Sequence, residues 1–207
     1  MIRSRRYRIL GSHLLTIGFA SLVLTWLEVS SATLFGVAPQ ESVSMSWSFY
    51  PESAFRASGL TFLTYPLVHL GWEHGAVNVA LWFVLGGLLA RRVPGLGLLK
   101  EFSLGALYAL SAVLIALSYL SPMAPPWTAK DFILGLSGLV FFQWGFLIFM
   151  RPPVWVYGMA PIFLWILWTG SALSNWGHGV GLVLGMIYGL TARFRGTSGA
   201  SSSRPSY

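Results

Sequence analysis

Long apolar runs separated by short polar or basic segments make up most of this chain. Each run is close to the ~20 residues that a helix needs to cross a bilayer. The runs lie at Ile9–Leu27, Glu73–Leu89, Glu101–Leu120, Asp131–Met150, Val154–Leu173 and Asn175–Leu190. Their number and length predict an all-α polytopic membrane protein built as one bundle of six transmembrane helices.

The segments outside the bundle are short. Residues 1–8 predict a basic cytoplasmic N-terminus, residues 9–195 the six-helix membrane domain, and residues 196–207 a disordered cytoplasmic tail rich in Gly and Ser. The first run has an alternative reading as a cleaved signal peptide, because basic residues precede it and the small residues Ser30, Ser31 and Ala32 follow it. Its removal leaves the orientation of the other five spans unchanged.

The cations indicate the orientation of the bundle, because cytoplasmic loops retain an excess of Lys and Arg. An arrangement with both termini inside places all but two of the 13 Lys and Arg residues on the inner side. The two exceptions are Arg56 and Lys130. The inner set is Arg3, Arg5, Arg6, Arg8, Arg91, Arg92, Lys100, Arg151, Arg193, Arg195 and Arg204. This asymmetry supports both the count of six spans and an N-in, C-in topology.

The composition agrees with a membrane protein, since 55% of the residues are hydrophobic and 9% are charged. The net charge of +7 does not indicate nucleic-acid binding, because the cations fall in clusters between the apolar runs. The chain has no Cys, which excludes disulfides, thiolate zinc sites and a cysteine nucleophile. We expect a lipid bilayer as the surrounding medium, and neither a nucleic acid nor a cofactor as partner.

Few strongly polar side chains fall inside the predicted spans, and such groups are the default functional candidates because they are costly in lipid. A rise of about 1.5 Å per residue puts Ser137 roughly 9 Å inward from Asp131 and puts the two span histidines within about one turn of the outer ends of their helices. The sequence therefore predicts a shared depth in the outer half of the bilayer. The candidates are His74, Asn78, Ser137, Asn175 and His178, with His69 just before the second span.

Each candidate also has a structural interpretation. A serine in a membrane helix commonly bonds its own backbone, and the glycines around Ser137 and His178 are typical of closely packed helices. His74 and Asn78 share a helix face at a spacing of four, which structural hydrogen bonding also explains. Several costly groups at one depth favour a common role instead.

Nucleophilic catalysis supplies such a role. A serine hydroxyl needs a base to take its proton, and histidine is the side chain best suited to that near neutral pH. Acyl transfer further needs donors for the developing oxyanion, which His74 and Asn78 fit. No carboxylate in the spans is placed to orient His178, so a Ser-His dyad is predicted, with an aromatic ring or Asn175 orienting the imidazole.

The same polar residues disfavour two other kinds of function. A metal site of His69, His74 and His178 is disfavoured because the first two are five residues apart, on different helix faces, and because Cys and buried carboxylates are lacking. A channel or transporter is disfavoured because the polar groups do not continue across the bilayer. We expect no metal.

Three sequence motifs occur in order along the chain. The segment that enters the second span carries a His-x(4)-His-x(3)-Asn pattern, the fourth span a Gly-x-Ser-Gly pattern and the sixth a His-x-x-Gly-x-x-x-Gly pattern. The residues that carry these motifs are His69, His74 and Asn78, then Gly135, Ser137 and Gly138, then His178, Gly181 and Gly185. Together the three motifs resemble those of the rhomboid family of intramembrane serine proteases.

By this resemblance the protein is a serine endopeptidase that cleaves transmembrane segments of other membrane proteins without metal or nucleotide. Ser137 is then the nucleophile and His178 the general base, while His74, Asn78 and the Ser137 backbone N–H form the oxyanion hole. The resemblance implies single-span or C-terminally anchored membrane substrates. It also implies a multi-pass protein, expected in a bacterial inner membrane with its active site toward the outer face.

Departures from the family pattern concern supporting positions. The Trp-Arg pair that many bacterial members carry before the second span is replaced by Leu60-Thr61. The Glu that members often carry at the inner end of the second span is replaced around Ala90. The aromatic residue four positions after the nucleophile is Phe141, which can stack on His178 but lacks a hydroxyl. A compact rhombosortase-like protease for substrates with a Gly-Gly-type C-terminal anchor and a non-catalytic rhomboid-like chaperone or binding protein remain as alternatives.

Overall fold

A computed structural model of the protein describes residues 12–35, 48–51, 59–69, 71–93, 97–126, 133–150 and 152–198. Within these ranges the regular structure is helical, apart from a single antiparallel bridge between Phe49 and Ile133. The predicted all-α class is therefore correct for the described residues. The predicted basic N-terminus and most of the predicted tail lie outside them.

Most helices follow the predicted runs, with shifts at their ends, whereas residues 61–67 form two short helical elements outside every predicted run. A short 3₁₀ turn, Tyr65–Leu67, follows the second helix. The α-helices are α1 (Ser12–Phe35), α2 (Thr61–Thr64), α3 (Trp72–Arg92), α4 (Gly97–Ser118), α5 (Ser137–Phe149), α6 (Val154–Gly158), α7 (Ala160–Thr169) and α8 (Ala172–Ser198).

Of the predicted spans, one is divided in the structure and another begins later than predicted. The run Val154–Leu173 is divided between α6 and α7, because Pro161 lies in the first turn of α7, where proline starts a helix rather than continuing one. The run Asp131–Met150 becomes helical only at Ser137. The depth of Ser137 estimated from a helix starting at Asp131 was therefore wrong, since Ser137 is the first residue of α5. At the other end of the chain, α8 continues to Ser198, three residues into the predicted tail.

Among the described helices, α3 alone combines at least 18 residues with a composition apolar enough to cross a membrane. Shorter apolar stretches occur at Leu14–Leu27, Phe102–Ser118, Ser137–Phe149 and Val154–Trp168. Large apolar side chains are exposed on several helices, among them Phe19, Phe102 and Trp168, the last at 88%. An outer surface of this kind matches lipid rather than water.

Helix α5 occupies the centre of the bundle, and its residues from Gly138 to Leu147 are all buried. It packs most extensively against α8, and α3 covers another side. A Cβ atom at Gly181 or Gly185 of α8 would strike the backbone carbonyl of Gly138 or Phe142, respectively. The two backbones thus approach as closely as they do because these α8 positions lack side chains.

Candidate active site

The segment that leads into α5, residues 133–136, is held by hydrogen bonds from the part of the chain that precedes α3. Ile133 and Phe49 exchange two backbone bonds of 2.8 and 3.0 Å. The Gly135 N–H donates to the carbonyl of Tyr65 at 2.9 Å, and the Leu136 N–H donates to His69 Nε2 at 3.1 Å. We call residues 133–136 the entry segment. It delivers Ser137 to the N-terminus of α5.

The entry segment turns at Gly135, whose φ of +97° lies in the region that disfavours side chains. A Cβ at this position would also meet the rings of His69 and His74 at about 3.5 Å. The backbone conformation therefore calls for glycine here, and the rings of the two histidines lie in van der Waals contact with this position. This accounts physically for the first glycine of the Gly-x-Ser-Gly motif.

Ser137 and His178 come together across the α5–α8 interface. Ser137 Oγ lies 2.8 Å from His178 Nε2, which is hydrogen-bond distance. The serine is half-buried, whereas His178 is 6% exposed. The hydroxyl of Ser137 thus contacts an imidazole on another helix, which the simple self-bonded interpretation of a membrane serine does not explain.

The ring of His178 is oriented by stacking. Its centroid lies 4.6 Å from that of Phe141, and the two planes differ by 10°. In the described part of the chain, Nδ1 of His178 has no hydrogen-bond partner. The aromatic face of Phe141, one turn after Ser137, therefore fixes the plane of the imidazole.

Asn175 does not take the role of orienting this ring. Its side-chain N–H₂ donates to the carbonyls of Leu167 at 2.6 Å and Gly170 at 2.9 Å, and so closes the C-terminal end of α7. The last carbonyls of a helix have no N–H partner within that helix, and the Asn175 amide supplies the donor here. Asn175 thus ties α7 to α8.

The beginning of α8 is anchored to the end of α4. The Tyr119 hydroxyl donates to the carbonyl of Leu173 at 2.9 Å. The indole N–H of Trp176 lies 3.0 Å from Ser118 Oγ and 3.2 Å from the Ser118 carbonyl. Because Gly177 has no side chain, the Tyr119 hydroxyl can occupy the space beside it. These contacts fix the turn of α8 that carries His178.

His74 and Asn78 lie in the first two turns of α3. His74 is exposed, and Asn78 is 5% exposed. Nδ2 of Asn78 has no hydrogen-bond partner among the described residues. A buried amide donor without a partner costs free energy, so its persistence next to a polar site suggests a use for it.

A cavity of about 440 Å³ brings several of these groups to one surface. His74, Ser137 and His178 line it, with Tyr65, Ile115 and Tyr119 among its other walls. In the described part of the chain Asn78 does not line this cavity, although it lies one turn from His74. Exposed serines, Ser171 and Ser174, also border it, so water can reach the hydroxyl of Ser137.

His69 is fully buried behind the entry segment and has partners at both ring nitrogens. Nε2 accepts the Leu136 N–H, while Nδ1 lies 3.2 Å from Ser21 Oγ. Burial, together with the neighbouring charge of His74, lowers the pKa of His69 to about 3, which keeps its ring neutral. Within the described residues no group of three potential ligands is arranged to hold a metal.

Several residues of this site were not found from the sequence. Tyr65 and Tyr119 line the cavity, and Ser21 and Thr25 contact His69. The signal for the last two is their spacing of four within an apolar span, which puts two hydroxyls on one helix face. The two tyrosines carry no comparable signal, because tyrosine is common at the ends of membrane helices.

The segment that carries the site matches known proteins. A model of the rhomboid domain matches residues 56–195. The rhomboid protease GlpG of Pectobacterium atrosepticum is 24% identical over 205 residues, an alignment that covers 90% of this chain and 67% of that protein. The range matched by the domain model contains Ser137, His178, His74 and Asn78, but it does not include α1.

Proposed function

The chain belongs to the rhomboid family, and from that premise we propose that it is an intramembrane serine protease with Ser137 as nucleophile and His178 as general base. Membership of the family and similarity to a rhomboid protease support intramembrane proteolysis in general. The observation that carries the assignment of residues is the 2.8 Å separation of Ser137 Oγ and His178 Nε2 at a cavity wall.

In the first half of the reaction, Nε2 of His178 takes the hydroxyl proton as Ser137 Oγ attacks the scissile carbonyl carbon. The oxyanion that forms is stabilised by hydrogen-bond donors. His178 then gives its proton to the departing amide nitrogen, the C–N bond breaks, and an ester to Ser137 remains. In the second half a water molecule repeats the attack with the same base, and the hydroxyl of Ser137 is restored.

The oxyanion hole is assigned to the Ser137 backbone N–H and the side chains of His74 and Asn78. Ser137 is the first residue of α5, so its N–H has no partner within the helix, and the positive end of the helix dipole lies at the same place. The unpartnered Nδ2 of Asn78 supports its inclusion, since reorienting it toward the cavity breaks no hydrogen bond among the described residues.

A dyad suffices in this arrangement. In the described part of the chain Nδ1 of His178 has no carboxylate or other hydrogen-bond partner, and the stacked ring of Phe141 fixes the plane of the base. The ring of His178 is buried, and the low local dielectric around it strengthens its hydrogen bond with Ser137.

The substrates proposed are transmembrane segments of single-span or C-terminally anchored membrane proteins. The exposed apolar surface of the bundle and the cation asymmetry support six membrane spans, an N-in, C-in topology and a site toward the outer face of a bacterial inner membrane. The rhombosortase-like specificity remains a hypothesis that a co-encoded substrate with a Gly-Gly-type tail will test.

Cleavage of a model transmembrane substrate in proteoliposomes tests this proposal. We expect the wild type to cleave, and Ser137→Ala and His178→Ala each to abolish cleavage while insertion and thermal stability in detergent are retained. Val77→Ala, an exposed change on α3, serves as the control and should cleave normally. Cleavage by Ser137→Ala at the wild-type rate would refute the assignment, and substrate capture without cleavage by the wild type would favour a chaperone.

A further inference from the structure

A chain of hydrogen bonds connects α1 to the entry segment through His69. Ser21 Oγ lies 3.2 Å from His69 Nδ1, and Thr25 Oγ1 lies 3.5 Å from the same nitrogen. On the opposite edge of the ring, Nε2 accepts the backbone N–H of Leu136 at 3.1 Å. Leu136 immediately precedes Ser137, so only one peptide unit separates the end of this chain from the nucleophile.

The two contacts of the ring determine where its proton sits. A backbone N–H can only donate, so Nε2 of His69 must present its lone pair to Leu136. In a neutral imidazole the proton is then on Nδ1, from which it is donated to Ser21 Oγ. The opposite tautomer would point an N–H of the ring at the N–H of Leu136. Ser21 therefore selects the form of His69 that can hold the entry segment.

The position of Ser21 and Thr25 is itself fixed by packing. The Thr25 hydroxyl donates to the carbonyl of Ser21 at 2.8 Å, and both side chains are fully buried. A Cβ at Gly75, next to His74, would meet the Thr25 side chain within about 3 Å. This face of α1 thus lies directly against the part of α3 that carries His74.

The bond to Leu136 differs from the other bonds that hold the entry segment. The bonds of Ile133 and Gly135 run between backbone atoms, so a change of side chain does not remove them. The bond to Leu136 depends on one side chain, and that side chain depends on α1. Helix α1 itself lies outside the range matched by the domain model.

We propose that Ser21, supported by Thr25, fixes the tautomer of His69, and that His69 is thereby a positioning residue that holds the Leu136 amide and sets the orientation of Ser137. The inference rests on the proposed function. It makes α1 a determinant of the rate of acyl transfer, although α1 contributes no group to the cavity among the described residues.

Two substitutions of His69 distinguish loss of the hydrogen-bond acceptor for Leu136 from loss of side-chain volume. His69→Gln can place an oxygen acceptor near the position of Nε2, whereas His69→Asn reaches only the position of Nδ1 and leaves the Leu136 amide without an acceptor. We expect His69→Asn to lower kcat about tenfold, equivalent to about 1.4 kcal/mol, with KM unchanged. His69→Gln should recover most of the lost rate.

Two alanine substitutions on α1, one at Ser21 and one at a control position, test the hydrogen bond between α1 and His69. Ser21→Ala removes the acceptor for Nδ1–H and should lower kcat several-fold with KM unchanged. Ser30→Ala removes a hydroxyl from the same helix nine residues further along, about 13 Å away at 1.5 Å per residue, and should leave kcat unchanged. The full chain in proteoliposomes is used, with thermal midpoints recorded for every variant.

The deciding experiment combines the rate of labelling by a fluorophosphonate, which reports the reactivity of Ser137 without a peptide substrate, with nitrogen-15 NMR of ring-labelled histidine. The proposal predicts slower labelling in His69→Asn and Ser21→Ala. It also predicts that the proton of the His69 ring lies on Nδ1. The His69 signal is the one that is missing from the spectrum of His69→Asn. Wild-type labelling rates in both variants, or a proton on Nε2, would overturn it. No labelling of wild type would instead refute the proposed protease function, and the tautomer of His69 still decides whether the connection to α1 exists.

Discussion

Helix α5 meets α8 through glycines, whereas the entry segment before α5 is held by hydrogen bonds, one of them donated to a histidine. In the first region Gly181 and Gly185 let backbone approach backbone, and added atoms would collide with carbonyls of α5. In the second region His69 fills the space beside Gly135 and bonds Leu136. The first region sets how close Ser137 and His178 can come. The second sets how Ser137 is turned.

The difference indicates that the two regions respond differently to substitution. Overpacking the glycine contact should separate two helices and so cost stability and activity together. Removing a donor or acceptor at the polar region should leave the bundle intact and reduce the rate of chemistry. The predictions below test this division, from the largest expected effect to the smallest.

Outside the Ser137–His178 pair, loss of the Asn78 amide should give the largest purely catalytic effect. Asn78→Ala removes an oxyanion donor, and loss of such a donor typically lowers kcat by about 10²–10³-fold, or about 2.7–4 kcal/mol. KM and the thermal midpoint should change little. Single-turnover cleavage of a transmembrane substrate measures the effect. A rate near that of wild type would remove Asn78 from the oxyanion hole and leave His74 and the backbone N–H.

Substitution of a glycine at the contact between α5 and α8 should lower the stability of the protein. A Cβ at Gly185 would collide with the carbonyl of Phe142, a backbone atom that cannot turn aside. Gly185→Ala should therefore lower the free energy of unfolding by about 1–3 kcal/mol, the usual cost of overpacking, and should lower activity with it. Thermal or denaturant midpoints in detergent measure the change.

Gly179 provides the matched control on the same helix, because a Cβ there meets no atom within 4 Å. Gly179→Ala should be neutral or slightly stabilising, since alanine is the better helix former. Equal destabilisation by the two alanines would show that contact with α5 does not account for the effect at Gly185.

Alanine at Gly135 is compared with alanine at Gly71 to distinguish the effect of backbone strain from the effect of contact with the histidines. Both have positive φ, at +97° and +84°, but only Gly135 has His69 and His74 within 4 Å of an added Cβ. Each alanine should cost about 1–2 kcal/mol of stability for the unfavourable φ. Only Gly135→Ala should also lower kcat. A similar loss of kcat at Gly71 would contradict the role given to the entry segment.

The smallest effect is expected at Phe141, whose ring stacks on His178. Phe141→Leu keeps an apolar side chain but loses an aromatic pair worth about 0.5–1.5 kcal/mol, so kcat should fall about 2- to 12-fold. Phe141→Tyr retains the stack and should retain the rate. Initial rates at saturating substrate measure both. A tyrosine variant as slow as the leucine variant would argue against stacking as the cause.

The sequence was most informative where a polar group is expensive. Ser137, His178, His74 and Asn78 stand out because few polar side chains interrupt the apolar runs, and membrane burial makes each one costly. The same reasoning should have drawn attention to Gln143, a fully buried amide in the middle of α5 that donates to the Tyr108 hydroxyl at 3.0 Å. Gln143 does not line the cavity.

Other features depend on contacts that no local pattern encodes. The start of α5 at Ser137 follows from the bonds of Gly135 and Leu136 to residues before α3, and these partners are far away in the sequence. The role of Asn175 at the end of α7, rather than at His178, likewise depends on the angle at which two helices meet. The break between α6 and α7 did have a local signal, in Pro161.

The central claim is that Ser137 is a nucleophile activated by His178. The most direct test is reaction of the full chain in liposomes with a fluorophosphonate, followed by peptide mass spectrometry to locate the adduct. The account predicts one adduct, on Ser137, that is absent in Ser137→Ala and strongly reduced in His178→Ala. An adduct on another residue that persists in Ser137→Ala would contradict it.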